Sequence, residues 1–455
     1  MSISAIKVSD LEGHRRFDAE YYQPRYLEAA KRFEHFKALA NYKPIILHPT
    51  EVKRVYEEEG LQLLFTQNIR NNFLNFSHVE FLPFGVEEQI RKNRLQPGDV
   101  VVTRTGANYG DAAPYDGNPS PIYASAHCII IRCKDVPGGY LSTYFNTEVG
   151  RALLKRGVYG AAQPEIAPDY IRTLHIPRFG EKAENQIEQK LFQAKHKRDE
   201  SEQLYAKTER LLAAELGLDR LDLSENLFNV RRVSDVMSAS RMDAEHYKQK
   251  YYRVLETLEN IGANEVVPIQ QMVTTLTNGH TPLHHDLDVG DIPFLTAEHV
   301  YDFWLDYDNA RRIWREHHET EVKRTQLREN DVLITIKGRV GNAAVVERLP
   351  GDVNINQDVA LLRLKPGIHP YYVVGFLNSP AGKTLMEQNA TGQINPFLGL
   401  GNLAKVRIPI FDEKRMNAIG ENIRQTVAKG YQAKEDAKRL LAEAKSEVER
   451  MVERG

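Results

Sequence analysis

The sequence predicts an α+β protein in which two similar mixed α/β domains are separated by two long antiparallel helices that form a coiled coil. Two observations predict this architecture: an internal repeat that runs through the chain, and a long, charged helical segment at the end of each copy. The repeat also predicts a pseudo-twofold symmetry. A length of 455 residues agrees with two domains and their connecting helices.

The composition limits the classes of protein that fit. The hydrophobic fraction is 42% and the charged fraction 27%, as in globular proteins, and no apolar run is long enough to span a membrane. We therefore expect a cytoplasmic protein with no membrane partner. Cys128 and Cys133 lie at odd spacing in one apolar strand, which predicts two core thiols and neither a disulfide nor a metal site. The net charge of -2 argues against a uniformly basic nucleic-acid binder, so any DNA contact must use local basic patches.

The start of each copy carries a clear match. The pattern Arg-x-Asp-Ala-Glu-x-Tyr stands at Arg16–Tyr22 and again, 225 residues later, at Arg241–Tyr247. Both copies lead into a predicted helix, at Tyr26–Phe36 and Tyr251–Ile261. The matched positions in the first copy are Ser9, Asp10, Arg16, Asp18, Ala19, Glu20, Tyr22 and Tyr26.

Later blocks of the repeat recur at an offset of 232 residues, apart from a slip of one residue in a loop. A predicted strand followed by a glycine loop stands at Asp99–Thr103 and at Asp331–Thr335. Near the end of each copy, Ile176-Pro177 matches Ile408-Pro409 in a predicted strand that leads into the long helix. Between these blocks the copies diverge, for example 69–88 against 300–319. A common frame with different residues inside it is typical of two readers of different sequences, not of a duplicated enzyme.

The long helices are predicted at Glu181–Leu216 and Asp412–Arg454, and Asp412 is a good N-cap for the second. Each carries a narrow apolar stripe that antiparallel pairing would bury; the alternative is that each helix folds back on its own domain. The predicted boundaries are 1–179 for the first domain, 180–217 for the first helix, 218–410 for the second domain after a short linker, and 411–455 for the second helix. The stripe residues are Ile187, Leu191, Ala194, Tyr205, Thr208 and Leu212, then Ile419, Ile423, Thr426, Ala433, Ala437 and Leu440.

These features, in this order and twice over, resemble the specificity subunits of Type I restriction-modification systems. The resemblance covers essentially the whole chain. It implies a non-enzymatic subunit whose two target-recognition domains each read one half of a bipartite site in double-stranded DNA, while the helix pair sets the gap. It also implies two modification (methyltransferase) subunits as partners, together with motor-nuclease restriction subunits. No cofactor is expected on this chain; S-adenosylmethionine, ATP and magnesium are expected in the partner subunits.

Candidate base contacts lie first on the glycine loops, because glycine lets the backbone approach closely and Arg, Lys and Asn carry donors that distinguish bases. An ordinary tight turn with solvated charges is the alternative. The candidates are Arg104, Thr105, Asn108 and Tyr109 in the first copy and Lys337, Arg339 and Asn342 in the second.

Two further groups are candidates, with drifted surface loops and turn hydrogen bonds as their alternatives. The diverged segments contribute Asn68, Arg70, Asn71 and Asn72 in the first copy and Glu298, His299, Arg311 and Arg312 in the second. The turns at Gly160 and Gly392 contribute Tyr159, Gln163, Gln393 and Asn395.

Enzymatic alternatives lack their motifs. Asn395-Pro396-Phe397 has one proline where a methyltransferase run needs two, and Gly382-Lys383-Thr384 lacks the first glycine of a phosphate loop. The paired histidines at His284-His285 and His317-His318 have no partner at metal-ligand spacing, so no metal site is expected. Two alternatives stay open: an interaction scaffold without a DNA role, and a sequence reader in a related defence system.

Overall fold

The computed structural model describes residues 16, 18–53, 55–70, 72–77, 79–160, 164–225, 229–239, 241–283, 289–392 and 394–454. The chain forms two compact units. Unit 1 comprises Met1–Arg198 and Glu435–Gly455, and unit 2 comprises Asp199–Lys434. Each unit thus contains part of both long helices.

Unit 1 is built on two small sheets. Its helices are α1 (Pro24–Phe33), α2 (Gly138–Phe145), α3 (Glu148–Arg156), α4 (Pro168–Thr173) and the start of α5 (Glu181–Glu215). Its strands are β1 (Ile45–Leu47), β2 (Leu61–Leu64), β3 (Ile69–Arg70), β4 (Phe73–Leu74), β5 (Glu80–Leu82), β6 (Val100–Thr103), β7 (Ala112–Pro114), β8 (Ile122–Ala124), β9 (Cys128–Arg132), β10 (Val158–Tyr159) and β11 (Glu165–Ile166).

The core of unit 1 lies on both faces of the antiparallel sheet β1-β9-β6-β7. Successive residues of β6 point to opposite faces, and all four are buried, which explains why this strand is a continuous apolar run. Val100 and Val102 pack with α2 and α3, whereas Val101 faces a second cluster beside the sheet β5-β2-β8. Cys128 is a buried free thiol and Cys133 a half-buried one, and burial raises the pKa of Cys128 to about 12.

Unit 2 repeats this plan. Its helices are α6 (Val233–Ala239), α7 (Gln249–Asn260), α8 (Arg315–Glu319), α9 (Pro370–Asn378), α10 (Pro380–Asn389), α11 (Leu400–Leu403) and the start of α12 (Glu413–Arg454). Its strands are β12 (Glu265–Pro268), β13 (Val273–Asn278), β14 (Ile292–Leu295), β15 (Val300–Tyr301), β16 (Trp304–Leu305), β17 (Arg311–Ile313), β18 (Val332–Thr335), β19 (Ala343–Val345), β20 (Asn354–Ile355), β21 (Val359–Leu364) and β22 (Arg407–Ile410). The sheets β13-β21-β18-β19 and β17-β14-β20 match those of unit 1 strand for strand.

The sequence repeat corresponds to a repeated set of framework contacts. In unit 1 the buried Asp99 carboxylate accepts from Arg132 Nε at 2.7 Å, and in unit 2 Asp331 accepts from Arg363 Nε at 2.9 Å. Two further hydrogen bonds to backbone carbonyls are repeated in the two units. The amide donors are Asn146 to Ala112 O and Asn378 to Ala343 O, and the hydroxyl donors are Tyr140 to Pro177 O and Tyr372 to Pro409 O. The matches between the two copies are therefore positions that hold the frame.

One predicted element differs between the copies. Ile408-Pro409 lies in a strand as predicted, β22, and this strand pairs with β12. The strand predicted at Ile176-Pro177 is wrong, because only a single bridge joins His175 to Ala38 there. In unit 1 only 34–38 separates α1 from a 3-10 turn at Leu39–Tyr42, whereas unit 2 has the longer connection 261–268, which leaves enough extended chain for a paired strand.

The two long helices are confirmed, as is the Asp412 cap, which accepts from Arg415 N at 2.9 Å. Within unit 1, Ile187 of α5 shares a core with Ala444 and Val448 of α12. Within unit 2, Ser201 of α5 donates to Gly430 O of α12 at 2.8 Å. The segments run antiparallel in each unit and also pack on the unit's own core, so both alternatives of the sequence analysis hold in part. None of the helices in the described ranges is long and apolar enough to cross a membrane.

Candidate nucleic-acid interface

The two glycine loops have the same local construction. Each follows the central strand of its sheet, β6 or β18, and returns by a backbone hydrogen bond: Gly110 N to Thr103 O at 2.9 Å, and Gly341 N to Thr335 O at 2.8 Å. Gly106 and Gly338 have positive φ angles of 92° and 77°, which residues with a Cβ rarely adopt. The matched glycines are therefore explained by the backbone path, and the residues between them are free to vary.

The structure brings the glycine loops next to the turns at Gly160 and Gly392. A bridge joins Thr105 to Glu165 in unit 1, and another joins Lys337 to Phe397 in unit 2. Tyr159 and Asn395 therefore lie beside the loops, and both are exposed. The candidates Gln163 and Gln393 lie outside the described residues, as does Asn71.

The diverged segments form short hairpins beside the same loops. In unit 2, β15 and β16 pair Tyr301 with Trp304, and Asn342 Nδ2 donates to Val300 O at 3.2 Å. In unit 1, β3 and β4 pair Arg70 with Phe73 in the same register. Asn72 and Phe303 occupy equivalent turn positions with φ angles of 74° and 71°. Loop, hairpin and turn therefore meet on one surface in unit 2, and in unit 1 the hairpin packs on β6 and β7, the two strands that flank the loop.

Asn68 and His299 are turn-capping residues at equivalent positions. Asn68 is 3% exposed and accepts from Phe65 N at 2.8 Å, while His299 is 6% exposed and accepts from Thr296 N at 3.0 Å through Nδ1. Their side chains are occupied by their own turns, which argues against the base contacts predicted for them. Arg70 is exposed but donates to the carbonyls of Thr66 and Ile69 at 2.9 and 2.7 Å.

In unit 1 the arginine of the glycine loop is held inside the unit. Arg104 forms an ion pair with Glu165, contacts His48, and donates to Ala126 O at 3.1 Å. The Tyr159 hydroxyl and Arg104 both stabilise the Glu165 carboxylate and lower its pKa. Burial, together with the charge of Arg104, lowers the pKa of His48. Arg104 therefore has a structural role, because these contacts hold its side chain against the rest of unit 1.

The other loop candidates of unit 1 divide between buried and exposed positions. Thr105 is 6% exposed and its hydroxyl lies 3.0 Å from His127 Nδ1. Tyr109 is half-buried, with Lys155 Nζ 5.9 Å from its ring centroid. Asn108 is exposed, so it is the polar side chain at the tip of this loop.

In unit 2 the charged groups of the glycine loop are not neutralised by a described acidic residue. Lys337 and Arg339 are exposed, and within the described ranges neither side chain forms a hydrogen bond or ion pair. Asn342 is instead held by Val300 O and by Lys383, which itself pairs with Asp302 at 2.8 Å. Unit 2 thus presents two unpaired cations where unit 1 presents an amide.

Several exposed apolar side chains at this surface were missed from the sequence. Ile394 is 93% exposed and Phe397 44% exposed on the turn beside Lys337. The aromatic pair Tyr301 and Trp304 was missed as well. The signal was weak, since Asp302-Phe303 is not one of the dipeptides, such as Asn-Gly or Asp-Gly, that favour a two-residue hairpin turn. The residues that the structure describes contain no group of three or more metal-ligating side chains.

Comparison with known proteins agrees with the sequence interpretation. The Type I restriction enzyme EcoBI specificity subunit of Escherichia coli is 25% identical over 168 residues, which is 35% of this chain and 35% of that protein. The match therefore spans about a third of the curated relative's length. No family model matches the sequence.

Solved structures extend the likeness to most of the chain. The Type I restriction-modification S subunit from M. genitalium has a TM-score of 0.51 at 12% identity and covers 91% of this chain and 95% of its own. The HsdS subunit from Thermoanaerobacter tengcongensis aligns over 90% of this chain and 96% of its own at 13% identity, but its TM-score of 0.30 is too low to compare the folds. The resemblance of this chain to the specificity subunits of Type I restriction-modification systems is therefore confirmed, in sequence over about a third of the chain and in fold over most of it.

Proposed function

We propose that the chain is the DNA sequence-recognition subunit of a Type I restriction-modification complex, without a catalytic centre of its own. Each unit reads one half of a bipartite site in double-stranded DNA. One observation carries the proposal: the two units repeat the same framework contacts around the same surface, yet present different exposed side chains on it.

The physical basis is a division between position and specificity. Contacts to phosphates fix how a protein sits on the duplex, whereas side chains that reach base edges read the sequence. A repeated backbone frame gives both units the same way of approaching DNA. Exposed Asn108 in unit 1 and exposed Lys337 and Arg339 in unit 2 then give them different donors for the bases.

The chemistry of modification belongs to partners in this proposal. Two modification subunits supply adenine methylation with S-adenosylmethionine, and motor-nuclease subunits supply ATP- and magnesium-dependent restriction. The sequence likeness to a specificity subunit supports these partners, and the cytoplasmic location stays a prediction.

Reconstitution tests the proposal. The purified chain is mixed with modification subunits of its own cell, and both methyl transfer to duplex DNA and binding at several salt concentrations are measured. We expect methylation and a negative slope of log affinity against log salt, because phosphate contacts release counterions. Lys337→Ala should reduce the steepness of that slope by about one unit. Lys414→Ala, which removes an exposed lysine of α12, is the matched control.

The opposite result is equally clear. A complex that neither methylates duplex DNA nor binds it in a salt-dependent way would contradict the proposal. It would support the interaction scaffold instead. Methylation of DNA by the complex without any nuclease partner in the cell would support a related defence system that uses the same kind of reader.

A further inference from the structure

Unit 2 contains a stack of aromatic and basic side chains that continues from the glycine loop to the long helix. The rings of Tyr301 and Trp304 are parallel within 7° with centroids 4.2 Å apart. Arg339 Cζ lies 5.3 Å from the Tyr301 centroid, and Lys434 of α12 covers Trp304. Lys434 Nζ is 5.9 Å from the ring centroid of Tyr301 and is therefore farther from this ring than from that of Trp304. The order along the stack is thus Arg339, Tyr301, Trp304, Lys434.

This stack holds Arg339 without using its hydrogen-bond donors. A guanidinium over an aromatic ring is attracted by the ring's π face, while its five N–H groups stay available at its edge. Within the described ranges the guanidinium of Arg339 has no hydrogen-bond or ion-pair partner. An arginine side chain ordinarily loses rotamer entropy when it is fixed by a ligand. Part of that loss has already occurred here, because Tyr301 restricts the side chain before DNA binds.

A pre-positioned guanidinium with free donors fits one base better than the others. Guanine presents O6 and N7 as two adjacent acceptors in the major groove, and arginine can contact both at once. Gly338 precedes Arg339 and has a positive φ of 77°, and a Cβ added to it would meet only Ala297 Cβ, at 4.0 Å, so the space beside the backbone of this loop is open. A phosphate can also accept two donors from the guanidinium, but a phosphate contact would leave the base preferences unchanged.

Unit 1 repeats only one end of this stack among its described residues, because Arg198 Cζ of the long helix α5 lies 4.6 Å from the ring centroid of Phe73. The hairpin position of Tyr301 is occupied by Arg70, which folds onto its own backbone carbonyls, and the position of Trp304 by Phe73. The loop residue that corresponds to Arg339 is Ala107. A glycine-loop guanidinium over a hairpin ring is therefore present in unit 2 and absent from the described residues of unit 1.

We propose that Arg339 reads a guanine in the half-site of unit 2, and that Tyr301, Trp304 and Lys434 are positioning residues for it. This inference rests on the proposed function. It names one base of the target and the side chains that determine it, and it places no such arginine contact in the half-site of unit 1.

The test is selection of duplexes from a library with randomised bases by the complex reconstituted with modification subunits. The wild-type complex should select a guanine at one position of one half-site. Arg339→Lys keeps the charge but loses the two-donor contact, and it should lower discrimination at that position alone by roughly tenfold to a hundredfold. Tyr301→Leu should weaken the same preference by a smaller factor. The unchanged selection of the other half-site shows within the same sample that the variants are folded.

Three results overturn the inference. If Arg339→Lys and Arg339→Ala leave all base preferences intact but Arg339→Ala lowers affinity for every duplex, Arg339 contacts a phosphate. If neither variant changes selection or affinity, Arg339 does not contact DNA. If the wild-type complex selects no sequence at all, the proposed function fails and this inference with it, so the two failures are distinguished. Arg91→Ala, which removes an exposed arginine of unit 1, is the control for loss of a charge.

Discussion

The glycine loops of the two units look alike in sequence, since each is basic and flanked by glycines, but they differ in what they present. In unit 1 Arg104 is tied to Glu165 and to Ala126 O, and the exposed tip residue is Asn108. In unit 2 Lys337 and Arg339 are exposed, and neither side chain forms a hydrogen bond or an ion pair with a described residue. The lesson is that the charge of a loop does not indicate its availability, which depends on whether a carboxylate elsewhere in the unit already neutralises it.

The comparison also separates the residues that hold each unit together from those that distinguish the units. The pairs Asp99–Arg132 and Asp331–Arg363 are equivalent, with carboxylates 0% and 3% exposed. The side chains on the surface around the glycine loops, by contrast, differ between the two units. Substitutions in the frame should therefore have the same effect in both units, and substitutions at the surface should not.

The largest effect is expected in the frame. Asp99→Asn and Asp331→Asn each leave a buried arginine contact without its carboxylate, and each should lower the free energy of unfolding of its unit by about 3 kcal/mol. Urea denaturation followed by hydrogen exchange of each unit measures this. The control is Asp169→Asn, because Asp169 is 87% exposed in its ion pair with Arg172 and such pairs contribute about 0–1 kcal/mol. Losses that differ widely between the two units would contradict the equivalence of the frames.

A smaller effect separates the two loop arginines. Arg104→Ala removes hydrogen bonds to a partly buried carboxylate and should destabilise unit 1 by about 2 kcal/mol. Arg339→Ala removes only a surface contact with an aromatic ring and should cost less than about 1 kcal/mol, yet it should alter DNA selection. Thermal unfolding measures the loss of stability in both variants, and selection of duplexes by each variant measures the change in DNA recognition. The interpretation fails if Arg339→Ala is the more destabilising change.

The smallest effect concerns the equivalent caps Asn68 and His299. Burial lowers the pKa of His299, so the folded state favours the neutral imidazole. The contribution to stability is complete above the unfolded pKa of about 6.5 and is lost as pH falls from there toward the lowered folded value. His299→Asn introduces the residue of unit 1, which can still accept from the turn and does not titrate. As the pH falls below about 6.5, the stability of the variant should therefore decrease less than that of the wild type, by about 1.4 kcal/mol for each pKa unit of lowering.

The same experiment has a control in the other unit. Asn68→Ala should destabilise unit 1 by about 1 kcal/mol at every pH, because it removes a turn cap without changing a titrating group. A His299→Asn variant whose stability follows the wild-type pH profile would show that folding does not lower the pKa of His299.

Much of the frame was predictable from the sequence because it depends on local signals. The glycine loops, the long helices and the Asp412 cap follow from turn chemistry and periodicity, and all are confirmed. The absence of the strand expected at Ile176-Pro177 was not predictable, because it depends on the length of the connection 34–38, which is distant in the sequence. The hairpin of unit 2 was missed since its turn places Phe303, a residue that disfavours positive φ, where unit 1 has Asn72.

The candidate site was predictable only as a set of segments. The sequence identified the glycine loops, the diverged segments and the turns, and the structure joins loop to turn in both units and loop to hairpin in unit 2. It did not indicate that Arg104 is occupied, because Glu165 lies 61 residues further along the chain. Nor did it indicate the stack under Arg339, since Lys434 belongs to the long helix. Availability of a side chain is a property of tertiary structure.

The most direct test of the central claim is the methylation motif in DNA from cells that contain the chain and its modification subunits, read by single-molecule sequencing of methylated adenines. Two units with one frame and different surfaces predict a bipartite motif whose two half-sites differ in sequence. A palindromic motif would show that the surface differences are not read, and a continuous motif would show that the units do not read separate half-sites; either would contradict the account.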